Sequence, residues 1–151
     1  MAEISDLPSP CMRMALGQLK LEQVQAAMKA MMDEAQATST TPVCLAIVDA
    51  SGNLEAFAKM DGARVFTRRH AVRKAYTAAV LGLDTIFHDQ RMERIHHRVS
   101  EQGDPMLTYE QGGVVIIQDG GILGGIGVGG LFGVNADDKL ARVGLAAMNW
   151  S

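Results

Sequence analysis

The chain has 151 residues, 48% of them apolar and 21% charged, with a formal net charge of −3 at neutral pH. That is enough for one domain with a real core, and the balance excludes a disordered, collagen-like or broadly basic nucleic-acid-binding chain. No apolar run approaches the ~20 residues of a membrane span, the start MAEISDLPSP has no apolar leader run, and two cysteines make no disulfide framework, so the expectation is a cytoplasmic protein.

Residues 1–15, with Pro8 and Pro10 and no steady period, read as an arm, and 16–151 as a single domain. From Leu16 to Ala37 the apolar positions Leu21, Val24, Met28, Met31 and Ala35 step by three and four, an amphipathic helix whose methionines are core filler. Val43 to Val48 is a short unbroken apolar run, as in a central strand buried on both faces. Asp49 to Asn53 carries turn chemistry, and Leu54 to Met60 is the returning strand of a hairpin closed by Asp61-Gly62. Ala63 to Leu81 lacks Pro and Gly and predicts a helix stopped by Gly82. A second helix is expected from Asp84-Thr85, where either side chain can cap, to about Val99. Val114 to Ile117, a turn at Asp119-Gly120, and Ile122 to Val128 form a second hairpin. A last helix runs from Ala136 to Met148, capped by Asn135. Paired antiparallel strands with helices between the pairs describe an α+β domain whose antiparallel sheet is built from two hairpins.

Ten of the sixteen glycines lie between Gly112 and Gly133, and Gly125 to Gly130 matches G-x-G-x-x-G. A dinucleotide fold needs that pattern after the first strand of a βαβ unit, with an acidic residue ~20 positions on. Here the preceding strand belongs to a hairpin and too little chain follows, so that fold is excluded. Two readings stay open: glycines that let a strand approach another backbone, or a backbone that lines a ligand site before a helix N-terminus. Asp137 and Asp138, in the first turn of that helix, would repel a phosphate there.

The segment ARVFTRRHAVRKAYTAA places Arg64, Arg68, Arg69, Arg73 and Lys74 within eleven residues, with no acid from Gly62 to Leu83. Like charges at i, i+4 destabilise a helix by a few tenths of a kcal/mol per pair, so carboxylates of a neighbouring helix or subunit, or an anionic ligand, should offset them. Arginine's planar fork suits carboxylates. Low aromatic content argues against stacking on nucleic-acid bases. No recognised zinc motif or nucleophile motif is present: His88 and His96 are ~12 Å apart along a helix, too far to share one zinc. Glu93 and His97 could supply half of a metal site, with His70 or Asp89 completing it, but no metal is expected. Cys44 sits where a thiolate is disfavoured. Lys74, desolvated among alanines, or His70 could act as a base.

The ordered set Ala46-Ile47-Val48-Asp49-Ala50-Ser51-Gly52-Asn53-Leu54, Lys59-Met60-Asp61-Gly62-Ala63, Lys74-Ala75-Tyr76-Thr77-Ala78-Ala79, Gly112-Gly113-Val114, Gly125 to Gly130 and Ala141 to Ala147 resembles the GlcG/HbpS-like family, also similar to the PduO carboxy-terminal domain. The resemblance spans roughly Leu16 to Met148 and implies a profilin-like fold, compact homo-oligomers, and in some members haem binding or degradation. Val115 replaces a proline common in the family, and Gly129 a frequent serine. The resemblance implies a protein that binds haem or another anionic tetrapyrrole, while charge and the lack of a long apolar run give no reason to expect nucleic acid or membrane as a partner. Arg64, Arg68 and Lys74 would hold the acidic groups, the Gly127, Gly129 and Gly130 backbone would form the pocket floor, and Glu110 would stand at its mouth. The alternative is a cofactor-independent lyase, isomerase or hydrolase acting on a small carboxylic or aromatic catabolic substrate, with Lys74 or His70 as base and Asp61 positioning. A third reading makes the basic helix an interface of a ligand-free scaffold.

Overall fold

A computed structural model describes residues 17–150, so the expected arm over 1–15, and Leu16 at the expected helix start, lie outside the described residues. Helix α1 is Leu21–Thr38. It begins later than its apolar pattern because Lys20 is extended (φ −86°, ψ 148°). Gln23 secures that end: its side chain accepts the Lys20 backbone N–H at 2.9 Å and donates to the Asn149 carbonyl at 2.9 Å. Val24, Ala27, Met31 and Ala35 form the buried stripe, with Met28 and Met32 packed at its margin. Leu21, by contrast, is exposed.

Strands β1 (Cys44–Asp49) and β2 (Leu54–Lys59) form the first hairpin. Its turn closes on Asp49, whose Oδ1 accepts the backbone N–H groups of Ser51 and Asn53, each at 2.9 Å. Helix α2 (Val65–Leu81) ends at Gly82 in the left-handed conformation (φ 65°). Helix α3 (Thr85–Arg94) is shorter than expected, because His96 adopts φ 57° and breaks the run before Val99. A single 3₁₀ turn, Val99–Gln102, follows.

Strands β3 (Gly113–Gln118) and β4 (Gly121–Gly129) form the second hairpin. Positive φ at Asp119 (50°) and Gly120 (77°) matches a tight primed turn. Helix α4 is Ala136–Ala147. The sheet order is β2-β1-β4-β3, all neighbours antiparallel, which is the expected α+β fold and leaves no parallel βαβ unit for a dinucleotide. Helices α1 and α4 cover one face; α2 lies on the other, across β4, β1 and β3, with α3 beside it. Central strand β1 is buried on both sides, as its unbroken apolar run requires.

The expected helix caps are not made. Asp84 bonds across the fold instead, Oδ1 accepting the Val115 N–H (2.9 Å) and Oδ2 the Arg142 guanidinium (2.7 Å). Thr85 Oγ1 accepts the Gly113 N–H (2.9 Å). Asn135 is left-handed (φ 53°) and makes no side-chain cap. Asp84 and Thr85 thus tie α3 to β3, giving the Val115 and Gly113 N–H groups the partners they need. No described helix is long and apolar enough to cross a membrane.

Candidate functional site

The site is built by how closely α2 approaches the sheet. Along α2, Thr67, Ala71 and Ala75 recur every four residues, a rise of ~6 Å. Along β4, Gly129, Gly127 and Gly125 recur every two, a rise of ~6.7 Å. The two ladders run in step. A Cβ on Gly127 would lie 1.9 Å from the Ala71 carbonyl oxygen, and one on Gly125 2.3 Å from that of Ala75. The glycine run is therefore the seat of a helix. Gly127 and Gly129 are buried beneath α2, and at Gly130 the Cβ direction meets the Pro42 carbonyl at 2.4 Å. The expected pocket floor along Gly127, Gly129 and Gly130 is thus filled by the protein's own backbone.

Because α2 rests on β4, β1 and β3, it leaves the same face of edge strand β2 partly open. Leu54 and Phe57, paired with Val48 and Ala46 in the register, point to that face. The result is a groove of about 440 Å³ between α2 and β2. Leu54, Phe57, Val72 and Met106 give it apolar walls, and Arg68, Arg69 and Arg73 stand along it. Among the described residues none of these arginines, nor Arg64, is in an ion pair. Among the described residues, the expected carboxylate from a neighbouring helix reaches only Lys74 of this basic run, from Asp137, and none reaches its arginines. Arg73 is partly committed: its Nη2 donates to the Leu107 carbonyl at 2.9 Å, while its buried Nε has no partner among the described residues.

The other expected site residues separate into three places. Arg68 lines the groove. Arg64 precedes the first turn of α2 and lies over the Phe132 ring, 5.9 Å from its centroid. Lys74 is buried at 3% exposure, its Nζ 3.0 Å from both Asp137 Oδ2 and the Val128 carbonyl. Buried, ion-paired and with two of its three N–H donors used within the protein, Lys74 is available neither to a ligand nor as a free base. Asp61 is exposed in the turn after β2, with no bond to His70 or Lys74.

His70 and Glu110 do come together. The buried His70 Nε2 is 3.3 Å from Glu110 Oε2 and 3.3 Å from Thr108 Oγ1, with Phe66 edge-on against its ring. Burial pushes the His70 pKa below its ordinary 6.5; Glu110 opposes the shift, while Lys74 and Arg73 add to it. The loop that carries Thr108 and Glu110 is strapped along α2. Tyr76 Oη donates to Asp104 Oδ2 (2.7 Å) and the Thr108 N–H donates to Thr77 Oγ1 (3.0 Å). The Tyr76 hydroxyl is consequently held above its ordinary pKa, chiefly by that bond to Asp104.

Two further clefts lack this character. One of about 700 Å³ includes Asp89, Glu93, His97 and Arg98, so its charges are mixed. Another, of about 340 Å³, lies between the end of α1 and α4, with Thr38, Ser39, Thr40 and the opposed Glu34 and Lys139. Among the described residues no cluster of three or more His, Cys, Asp or Glu is placed to hold a metal ion, so His70 does not complete a site with Glu93, His97 or Asp89. Cys44 is buried and its thiol is pushed up by burial, as its strand position implied.

Residue reasoning missed much of the groove. Arg69 and Arg73 belonged to a basic run already noted. Leu54 and Phe57 carried a faint signal, as large apolar residues in the strand that proves to be an edge. Met106 had none, because its place depends on the strap over α2.

The chain matches the family model described as "Haem degrading protein HbpS-like" over residues 19–146 and belongs to that family. It is 30% identical over 110 residues to protein GlcG of Escherichia coli strain K12, covering 73% of this chain and 80% of that protein. Its fold superposes on HbpS with a TM-score of 0.80 at 26% identity, over 99% of both chains. A complex of PduOC with haem matches with a TM-score of 0.78 at 24% identity, covering 87% of this chain and 96% of the other, a likeness of fold.

Proposed function

We propose that the groove between α2 and β2 binds a flat, apolar molecule bearing acidic groups, and that haem or a related tetrapyrrole is its ligand. One observation carries this reading: three arginines, unpaired with any acid among the described residues, stand beside apolar walls in a groove of about 440 Å³. The description of the family as haem-degrading supports it, as does the whole-chain likeness to HbpS. The residues suit the group. Leu54, Phe57 and Val72 would cover an apolar macrocycle face, and Arg68 and Arg69 would hold its carboxylates, bidentately where geometry allows. Haem, when bound, would supply iron chemistry; the chain's own part is to bind, orient and shield it. Arg64, Lys74 and the glycines are not part of this proposal, and Glu110 acts on His70 rather than on the ligand. A homo-oligomer in the cytoplasm belongs to the same reading.

The test is a haemin titration followed in the Soret region. A saturable, stoichiometric band is expected, weakened at least about tenfold by Arg68→Ala with Arg69→Ala, the loss expected for a charged hydrogen bond or more. A featureless rise without saturation would reject the haem reading.

A second reading has one observation in its favour, a buried histidine with lowered pKa beside a carboxylate. Neutral His70, positioned by Glu110, would be the base of a cofactor-independent enzyme on a small acid. Turnover of such acids abolished in a folded His70→Gln variant would support it; unchanged turnover in that variant would dismiss it.

A further inference from the structure

We infer that Met106 is the residue that would hold the iron of a haem bound in the groove, an inference that rests on the haem reading above. Of the side chains along the groove, Leu54, Phe57 and Val72 are hydrocarbon, and Arg68, Arg69 and Arg73 are cations with no lone pair to give. Among the described residues that line it, the Met106 thioether is the one neutral donor. The histidines stand elsewhere: His70 against Thr108 and Glu110, His88 buried in α3, and His96 and His97 just past the end of that helix.

The position of Met106 is held from both sides. Its own N–H donates to Asp104 Oδ1 at 2.9 Å, and Asp104 Oδ2 is gripped by Tyr76 at 2.7 Å. On the other side the Leu107 carbonyl accepts from Arg73 at 2.9 Å, and the Thr108 N–H donates to Thr77 at 3.0 Å. Tyr76, Arg73 and Thr77 all belong to α2, so the loop backbone that carries the half-buried Met106 is fixed to the helix that also carries the groove arginines. A site whose donor is braced by surrounding bonds binds without first ordering a loop. Sulfur also suits this place chemically. It is uncharged, costs little to bury and leaves the groove apolar. Held to haem iron, a thioether would favour the reduced state and raise the reduction potential.

The experiment compares haemin complexes of the wild type, Met106→Leu, and Arg68→Ala with Arg69→Ala. Leucine conserves the apolar volume, so folding and stoichiometric titration should survive. The wild-type ferric complex is expected to show a sulfur-to-iron charge-transfer band in the near infrared. Met106→Leu should lose that band and have a lower reduction potential, while the arginine variant should weaken the titration yet keep the band at saturation. If the wild-type spectrum is that of histidine-ligated iron, or if Met106→Leu leaves band and potential unchanged, Met106 is not the ligand while haem binding stands. If the wild type shows no saturable titration, the ligand assignment and the haem reading fall together.

Discussion

The two faces of the sheet are packed on opposite principles. Toward α1 and α4 the strands present Leu45, Ile47, Val114, Ile116, Ile126 and Val128, which meet Met31, Leu140 and their neighbours in an interlocking side-chain core. Toward α2 they present Cys44, Ala46, Val48 and glycines, which meet Ala71, Ala75 and Ala79. The first face is filled by volume; the second is closed by bringing backbones together. Close approach on the second face buries the foot of α2 so deeply that Lys74 must find an internal partner, and it leaves the arginines of the same helix beside the open face of β2. One helix therefore supplies both a buried charge pair and an unpaired basic rim, and the difference between them is only which side of α2 a residue occupies.

The contrast is broken most severely at the buried pair. Lys74 and Asp137 are each about 95% buried and join α2 to α4, and Asp137 also accepts the Leu131 N–H at 3.0 Å. Asp137→Ala leaves a buried ammonium with only the Val128 carbonyl, and about 3–5 kcal/mol of stability should be lost. Urea denaturation measures it; a loss below about 1 kcal/mol, the scale of a surface pair, would mean that the two charges are solvated. Lys74→Met, which removes the charge from the opposite side, leaves an unpaired Asp137 that still receives the Leu131 N–H. It should also destabilise.

Next comes a one-methyl comparison across a single peptide bond. Gly127→Ala adds a methyl where the Ala71 carbonyl already stands, so α2 must lift; the expected cost is about 3 kcal/mol, the upper end of ordinary overpacking. Ile126→Val removes a methyl from the fully buried opposite face and should cost about 1 kcal/mol. Equal costs would show that the two faces yield alike. The groove adds a further readout, because lifting α2 moves Arg68 and Arg73 relative to β2, whereas Ile126→Val should leave haemin titration unchanged.

Local features were readable in the residues wherever the cause is local. The Gly82 stop, the Asp119-Gly120 turn and the α1 stripe each depend on a few neighbouring side chains. The order of elements, and with it the antiparallel α+β fold, followed from the same patterns. What escaped was set by distant partners. Asp84 and Thr85 look like helix caps until β3 and Arg142 compete for them. Lys74 looks available until Asp137, 63 positions away, takes its charge. Of the candidate site, Arg68 and the surrounding basic run were visible, but the apolar walls were not, since they exist only because α2 stops short of the sheet edge.

The smallest expected effect separates the faces by their response to acid. The side-chain core beneath α1 and α4 is apolar, whereas α2 and α3 hold buried His70 and His88. Burial is the largest cause of a pKa below 6.5 for both. Glu110 and Asp137 oppose the shift at His70 while Lys74 and Arg73 reinforce it. At His88, Arg91 lowers and Asp89 raises; Gln102 also raises, though neither ring nitrogen has a bond of ordinary geometry. A histidine whose folded pKa is depressed takes up its proton more readily in the unfolded chain. Its contribution is fully present above 6.5 and is lost as pH falls through the lower folded value. Urea midpoints should therefore drop between neutral pH and the top of the carboxylate range, near pH 5. His88→Leu should flatten that slope, and above 6.5 it should be no less stable than the wild type, because it removes two buried polar atoms that lack partners among the described residues. Ile126→Val, acting on the apolar face, should lower the whole curve without changing its slope. A slope that His88→Leu leaves intact would assign the acid response to His70 and its Glu110 contact, and Glu110→Gln would then steepen it by removing the carboxylate that favours the charged ring.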